Sequence, residues 1–227
     1  MVREQNDKRG AKTMRTITIR GTGSVSTAPD YVKISMTVKT LHLVYKEAVK
    51  EADRRIGALQ LAAEAAGFKK KDLKTVDFHV DSKYSRVEDR GGRYRDVFDG
   101  YQCTCKLRLS FDFDGKTLGN VLEAVSCCGA MPKIAIDFTV KHPEKVSDAL
   151  LAAAAKDARR KAEVLCKASG CQLGTLLSVT YNWNELTITS GTDYQPPLAP
   201  GAPLRMSDMT PEDIESSDTA AFVWEIQ

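Results

Sequence analysis

The chain has 227 residues, 42% hydrophobic and 28% charged, a balance that suits a globular protein with a buried core and excludes a low-complexity chain. Its 33 basic and 30 acidic residues leave a formal net charge of +3, too near balance for an electrostatic nucleic-acid or anionic-membrane footprint. No apolar run approaches the ~18–20 residues that span a bilayer, so no membrane span is expected.

Residues 1–14 are charged and lack an apolar core segment, and they read as a flexible leader rather than a signal peptide. A cytoplasmic location is therefore expected, or a periplasmic or exported one if a signal segment has been removed. Cysteines 103, 105, 127, 128, 166 and 171 are then expected reduced, and buried by default.

Residues 15–28 form a weak strand through Ile17, Ile19 and Val25, interrupted by Gly21 and Gly23 and closed by a turn at Pro29-Asp30. Residues 31–40 alternate strictly, with Val32, Ile34, Met36 and Val38 on one face. A helix follows over 44–66, with Tyr45, Ala48, Val49, Ala52, Ile56, Leu59, Ala63 and Ala66 at helical spacing and Gly67 as its cap. Residues 74–84 form a strand with Val76, Phe78 and Val80 against Asp77, His79 and Asp81, and polar residues 85–96 read as an exposed hairpin loop.

The cleanest alternation covers 97–113. Tyr101, Cys103, Cys105, Leu107, Leu109, Phe111 and Phe113 face one way; Gln102, Thr104, Lys106, Arg108, Ser110 and Asp112 form a solvated face. Asp114 N-caps a short helix to Cys127, ended by Gly129, and a strand spans 133–140. The longest helix, 143–169, buries a mostly alanine stripe (Leu151, Ala154, Ala155, Ala158, Ala162, Leu165, Cys166) suited to close packing, and Gly170 ends it. A strand at 175–183, a Pro-rich loop or arm at 190–218 and a final strand at 220–226 complete the chain.

The order ββα-ββα-βα-ββ is α+β: an antiparallel or mixed sheet with about three helices packed on one face, in one domain over 15–227.

Candidate chemistry is sparse. Gly115-Lys116-Thr117 echoes the end of a phosphate loop, but Ser110 stands where the first glycine belongs. Gly21-x-Gly23 leads into a turn and strand, not a helix, so it is no dinucleotide site. Asp77, His79 and Asp81 share a strand face of metal-binding type, yet Lys106 and Arg108 are expected opposite them and would repel a cation; no metal is assigned. Cys127-Cys128, at a helix end, is the candidate redox pair, with no close basic residue but Lys133. The aromatic and basic cluster Tyr84, Arg86, Arg90, Arg93, Tyr94 and Arg95 is diluted by Glu88, Asp89 and Asp96. No catalytic residue, cofactor or nucleic-acid partner is assigned.

Gly21, Gly23, Pro29 and Asp30, then Gly67, Asp72 and Thr75, then Tyr101, Gly129-Ala130, the Asp-Ala-Arg-x-Lys-Ala-Glu run at 157–163 with Ala158, Lys161 and Ala162, and Leu173-Gly174 occur in an order that resembles the SIMPL-domain family over about 15–227. The resemblance implies a SIMPL-type fold with no settled activity and no catalytic residue to carry across. Many relatives are periplasmic, and they include a ring-forming immunogenic protein, oxidative-stress-defence proteins and an animal protein that binds a receptor-associated kinase. By resemblance, a non-enzymatic, homo-oligomeric assembly or interaction protein is expected, with a possible protein partner or stress role; the strand 97–113, loop 85–96 and arm 190–218 are candidate contact surfaces. The alternative is a small-molecule-binding or thiol-redox protein using Cys127 and Cys128.

Overall fold

A computed structural model describes residues 15–88, 92–181, 188–190 and 210–227. The elements run β1 (Thr16–Thr27), β2 (Tyr31–His42), α1 (Tyr45–Ala65), a short turn of 3-10 helix, β3 (Lys74–Glu88), β4 (Tyr94–Asp112), α2 (Gly115–Cys127), β5 (Lys133–Thr139), α3 (Pro143–Ala168), β6 (Leu173–Tyr181) and β7 (Ile214–Ile226). The fold is α+β, with three α-helices among the described residues. The single sheet anticipated from the sequence is instead two sheets, ordered β1-β7-β6 and β3-β4-β2-β5. The chain divides into two compact units. Alternation reveals a strand but not its partner, which is why the division was illegible.

In the larger unit, β2 pairs antiparallel with both β4 and β5, and β3 pairs antiparallel with β4. One face carries the core: Val32, Ile34, Met36 and Val38 of β2 and Cys105, Leu107 and Leu109 of β4 are each at most 1% exposed. Leu59 of α1 and Leu118, Val121 and Leu122 of α2 close over them. The expected solvated face of β4 is only partly so: Thr104 is buried and its Oγ1 has no hydrogen-bond partner, and Lys106, Arg108 and Ser110 are half-buried. Asp114 caps α2 as expected, accepting from the amide (2.8 Å) and the hydroxyl (2.7 Å) of Thr117.

Asp30 does more than the local turn expected of it. Its amide donates to Thr139 O (3.2 Å), its carbonyl accepts from the Phe113 amide (2.8 Å), and its carboxylate accepts from the Lys141 amide (2.7 Å). One residue thus ties the start of β2 to the ends of β4 and β5.

Of the expected loop 85–96, residues 85–88 and 94–96 are strand, and 89–91 lie outside the described residues. Ser85, Arg86, Val87 and Glu88 pair with Val97, Asp96, Arg95 and Tyr94, so β3 and β4 make one long hairpin. Opposite charges face each other at Arg86 and Asp96, which stabilises strands whose charge density otherwise reads as loop. The proposed arm at 190–218 is also shortened: Ser190 donates to Phe138 O (2.8 Å), and 214–218 begin β7. Residues 191–209 lie outside the described residues.

The smaller unit is organised by α3 lying on β1. Ile17, Ile19, Gly21, Gly23 and Val25 alternate inward along β1. A Cβ at Gly21 would lie 2.0 Å from Ala154 O and 2.7 Å from Ala158 Cβ; one at Gly23 would lie 2.0 Å from Leu150 O. The helix answers with Ala154, Ala158 and Ala162, all buried. Phe222 and Trp224 of β7, stacked with ring centroids 5.5 Å apart, fill the remaining space beside Ile19. The buried stripe of α3 keeps Cys166 as expected but takes in Val146 and Leu150 instead of Leu151 and Leu165; Leu165 is 47% exposed. In α1, likewise, Ala62 is buried and Tyr45 is exposed.

Polar contacts fix the same approach. The Thr22 amide donates to Asp157 Oδ2 (3.0 Å), and Lys161 Nζ donates to Arg20 O (3.3 Å). Asp157 also meets Lys161 (2.6 Å) and Arg160 (2.7 Å). Lys161 above all, then the Thr22 amide and Arg160, hold the Asp157 carboxyl well below the usual carboxylate range.

Gly21→Ala will lower stability by more than about 2 kcal/mol in urea unfolding, because the methyl meets helix backbone that cannot rotate away. Gly57→Ala, with nothing within 4 Å in mid-α1, will raise stability by about 0.5–1 kcal/mol. A carboxyl whose folded pKa is depressed contributes fully above its unfolded value of about 4, and that contribution is lost as pH falls toward the folded value. Urea midpoints measured from pH 5 to 2 will therefore fall less steeply for Asp157→Asn than for the unmodified chain.

Candidate functional site

The expected motif residues resolve into packing roles. Gly21, Gly23, Ala158, Lys161 and Ala162 form the β1–α3 contact, and Pro29-Asp30 leads into the β2 anchor. Gly67, Gly129 and Gly170 end α1, α2 and α3 at positive φ, as helix-terminating glycines do. Gly174 lies against β7, where a Cβ would meet Glu225 O at 3.0 Å.

Cys127 is exposed and Cys128 is half-buried. Cys128 Sγ donates to Val125 O (3.1 Å), a carbonyl of its own helix, and Cys127 Sγ lies 3.8 Å from Ser126 Oγ. Among the described residues neither sulfur hydrogen-bonds a basic side chain. Cys103 and Cys105 are buried, and burial pushes both thiols up, away from reactivity. Burial and the neighbouring Cys171 do the same to Cys166.

Asp77, His79 and Asp81 come together, though not as a metal site. Asp77 Oδ2 lies 3.0 Å from His79 Nδ1, and Asp81 Oδ2 lies 3.4 Å from Nε2, so carboxylates occupy both ring nitrogens. Asp77 stands opposite Lys106, as expected, but Arg108 stands opposite Lys74, because β4 runs antiparallel and carries it beyond this row. Among the described residues no group of His, Cys, Asp and Glu has the arrangement of a metal site. His42 Nδ1 accepts from the Val44 amide (3.0 Å), and His142 meets Glu144 (2.8 Å). Gly115-Lys116-Thr117 opens α2, where the Asp114 carboxylate already takes the Thr117 amide that a phosphate would need.

Concavities are shallow. One open depression of about 420 Å³ is lined by Ser24, Val25, Ser26 and Glu215–Ser217 of the smaller unit. Another, about 480 Å³, lies against Gly57, Ala58 and Leu61 of α1. Neither encloses a ligand as small-molecule sites do.

The β3–β4 hairpin contains two of the expected contact surfaces, 85–96 and 97–113, but the alignment of its aromatic residues was missed by sequence reasoning. β4 pairs with β2 only from Tyr101 onward, so Tyr94–Gly100 is paired by β3 alone. Along this outer half runs an aromatic ladder. Tyr84 and Phe98 have centroids 5.5 Å apart, Phe98 and Tyr101 5.3 Å, and Tyr101 and Tyr45 5.6 Å, all edge to face. Tyr84 is 59% exposed and Phe98 38%. Arg86 lies over the Tyr94 ring at 5.3 Å. Gly100 holds φ +136°, and a Cβ there would meet His42 O at 2.6 Å, so glycine lets the hairpin leave the sheet beside β2. Tyr84, Arg86 and Tyr94 are thus engaged with each other's strands, while Arg90 and Asp89 of the suspected basic cluster lie outside the described residues. The signal for this surface lies in Tyr84, Val97 and Phe98, which the sequence places on strands, and in Tyr94, which it places in a loop; nothing local says that they line up.

Solved structures offer distant likenesses. An uncharacterized conserved protein from Listeria innocua is 11% identical, with 91% of this chain and 92% of that chain covered at a TM-score of 0.22. A hydrolase from Listeria innocua is 10% identical, covering 90% and 92% at a TM-score of 0.18. At such scores neither carries an argument about this chain. No curated protein matches. The family model for SIMPL, described as a protein of unknown function (DUF541), matches residues 17–223. With the Gly21, Gly23, Asp157 and Lys161 contact inside that span, the chain belongs to the SIMPL family.

Proposed function

We propose that this protein is a non-enzymatic assembly module that self-associates through its β3–β4 hairpin. The carrying observation is the exposed aromatic ladder of Tyr84 and Phe98 on a two-stranded extension. An isolated hairpin is marginal in water, and clustered exposed aromatics mark contact surfaces. A partner that covers them gains apolar burial and rigidifies the extension together. No helix among the described residues is long and apolar enough to cross a membrane. The family resemblance adds a stress-response setting to this reading, and six free cysteines support a cytoplasmic one.

The exposed Cys127 favours one second reading, a thiol-redox role shared with Cys128. Light scattering on a size-exclusion column, with and without reductant, separates the two. The assembly reading expects a defined oligomer unchanged by reductant. It also expects a lower mass for the Tyr84→Ser, Phe98→Ser double variant at equal concentration. A monomer at micromolar concentration, or a dimer that dissolves in reductant and is absent from the Cys127→Ser, Cys128→Ser variant, would overturn it in favour of the thiols.

A further inference from the structure

The four-stranded sheet ends on β3, whose outer edge pairs with no strand among the described residues. The opposite edge is partly covered: Ser190 donates to Phe138 O, Thr139 Oγ1 donates to Ile188 O, and Thr139 bridges Thr189. β3 is also twice as long, 15 residues against the 7 of β5. An open edge of that length is a template for another strand, and charges along it restrict which strand can dock.

The geometry of β3 defines where docking is regular. Its pairing with β4 is interrupted twice: β3 carries an extra residue, Val76, between Thr75 and Asp77, and β4 carries one, Asp99, opposite the step from Lys83 to Tyr84. Between these breaks lies an unbroken stretch, Asp77–Lys83, with Val80 at its centre. Phe78, on this stretch, is 47% exposed.

The sequence of this stretch is complementary to itself. Two antiparallel copies related by a two-fold axis must have that axis pass through a residue, because hydrogen-bonding direction alternates along a strand. With the axis at Val80, Asp77 of each copy faces Lys83 of the other, and His79 faces Asp81. On the opposite face Val80 meets Val80 and Phe78 meets Ser82. Moving the axis to His79 sets Asp77 against Asp81; moving it to Asp81 sets that carboxylate against its own copy and His79 against Lys83. Like charges directly opposite are destabilising. An axis at Phe78 runs the pairing across the extra residue Val76, and one at Ser82 keeps only the Asp81–Lys83 match, setting Asp77 against Val87 and His79 against Ser85.

We infer that β3 is a self-recognition strand: two copies of this chain join edge to edge, antiparallel about Val80, merging two four-stranded sheets into one of eight. This rests on the assembly reading and names its contact. The charges that guard the edge against general aggregation match most fully in this register, with Asp77–Lys83 and His79–Asp81 each formed twice.

The test is complementation by charge exchange. Lys83→Asp places carboxylates opposite each other at both ends of the pairing, and Asp77→Lys places ammonium groups there. Each variant alone is expected to weaken self-association more than about tenfold by light scattering. An equimolar mixture restores it, since every 77–83 pair is then of opposite charge. Association of either variant at the strength of the unmodified chain, or no recovery in the mixture, overturns the inference and leaves the assembly reading standing. An unmodified chain that stays monomeric overturns both. Circular dichroism checks that each variant folds. Hydrogen exchange on the unmodified chain reads the contact without substitution: amides within Asp77–Lys83 slow as concentration and mass rise together. Exchange there that stays constant while mass rises also overturns the inference.

Discussion

The smaller unit depends on a close approach of backbone to backbone. α3 can lie on β1 only because Gly21 and Gly23 present no side chain to the carbonyls of Ala154 and Leu150. Packing at that distance leaves little room for large residues, so the helix answers with alanines and the bulk is supplied from β7 by Phe222 and Trp224. Such a contact gains dispersion energy over many atoms but tolerates no added volume. Its polar fastening is of the same kind: Asp157 and Lys161 satisfy a backbone amide and a backbone carbonyl of β1, an outer strand of its sheet. The run Asp-Ala-Arg-Arg-Lys-Ala-Glu is therefore legible as one device, its alanines setting distance and its charges setting register along β1.

The larger unit is assembled by different means. Its core is an ordinary alternating sheet under two helices, and Asp30 gathers three strand ends through backbone and carboxylate bonds. The Asp114 carboxylate at the start of α2 and the Asp157 carboxylate on α3 likewise hold backbone in place.

How much of this was legible in the sequence follows from what each pattern encodes. Strict alternation over 31–40 and 97–113 identified β2 and β4 and their buried faces correctly, because one face of each is covered and period two is forced. The glycine pair and the alanine stripe were each legible as close-approach residues, but nothing local says that they meet each other. The hairpin tip failed for the opposite reason. Arg86, Glu88, Arg95 and Asp96 read as loop when taken singly, and only their cross-strand pairing makes them strand residues. In α3 the choice of Leu150 over Leu151 lies within one residue's rotation of a helix, which an alanine-rich stripe does not fix. The site was less legible than the fold: Cys127 and Cys128 stand out by adjacency, yet their contacts are with their own helix.

The outer strand β3 inverts the usual relation between burial and information. Its residues are exposed on both faces over most of its length, so packing within the chain constrains them weakly. Mixed exposed sequence of that kind is generally free to vary in charge order. Here the unbroken stretch carries Asp77, His79, Asp81 and Lys83 on one side and Phe78, Val80 and Ser82 on the other. His79 is already held between Asp77 and Asp81, which preorganises the carboxylates along the strand instead of leaving them to sample solvent. Lys83, at the end of this row, is where a second row of the same sequence, reversed, brings Asp77. An edge that needed only to resist aggregation could use lysines throughout. An edge whose acids and bases are ordered so that reversal superposes opposite charges has the form of a surface shaped for its own copy.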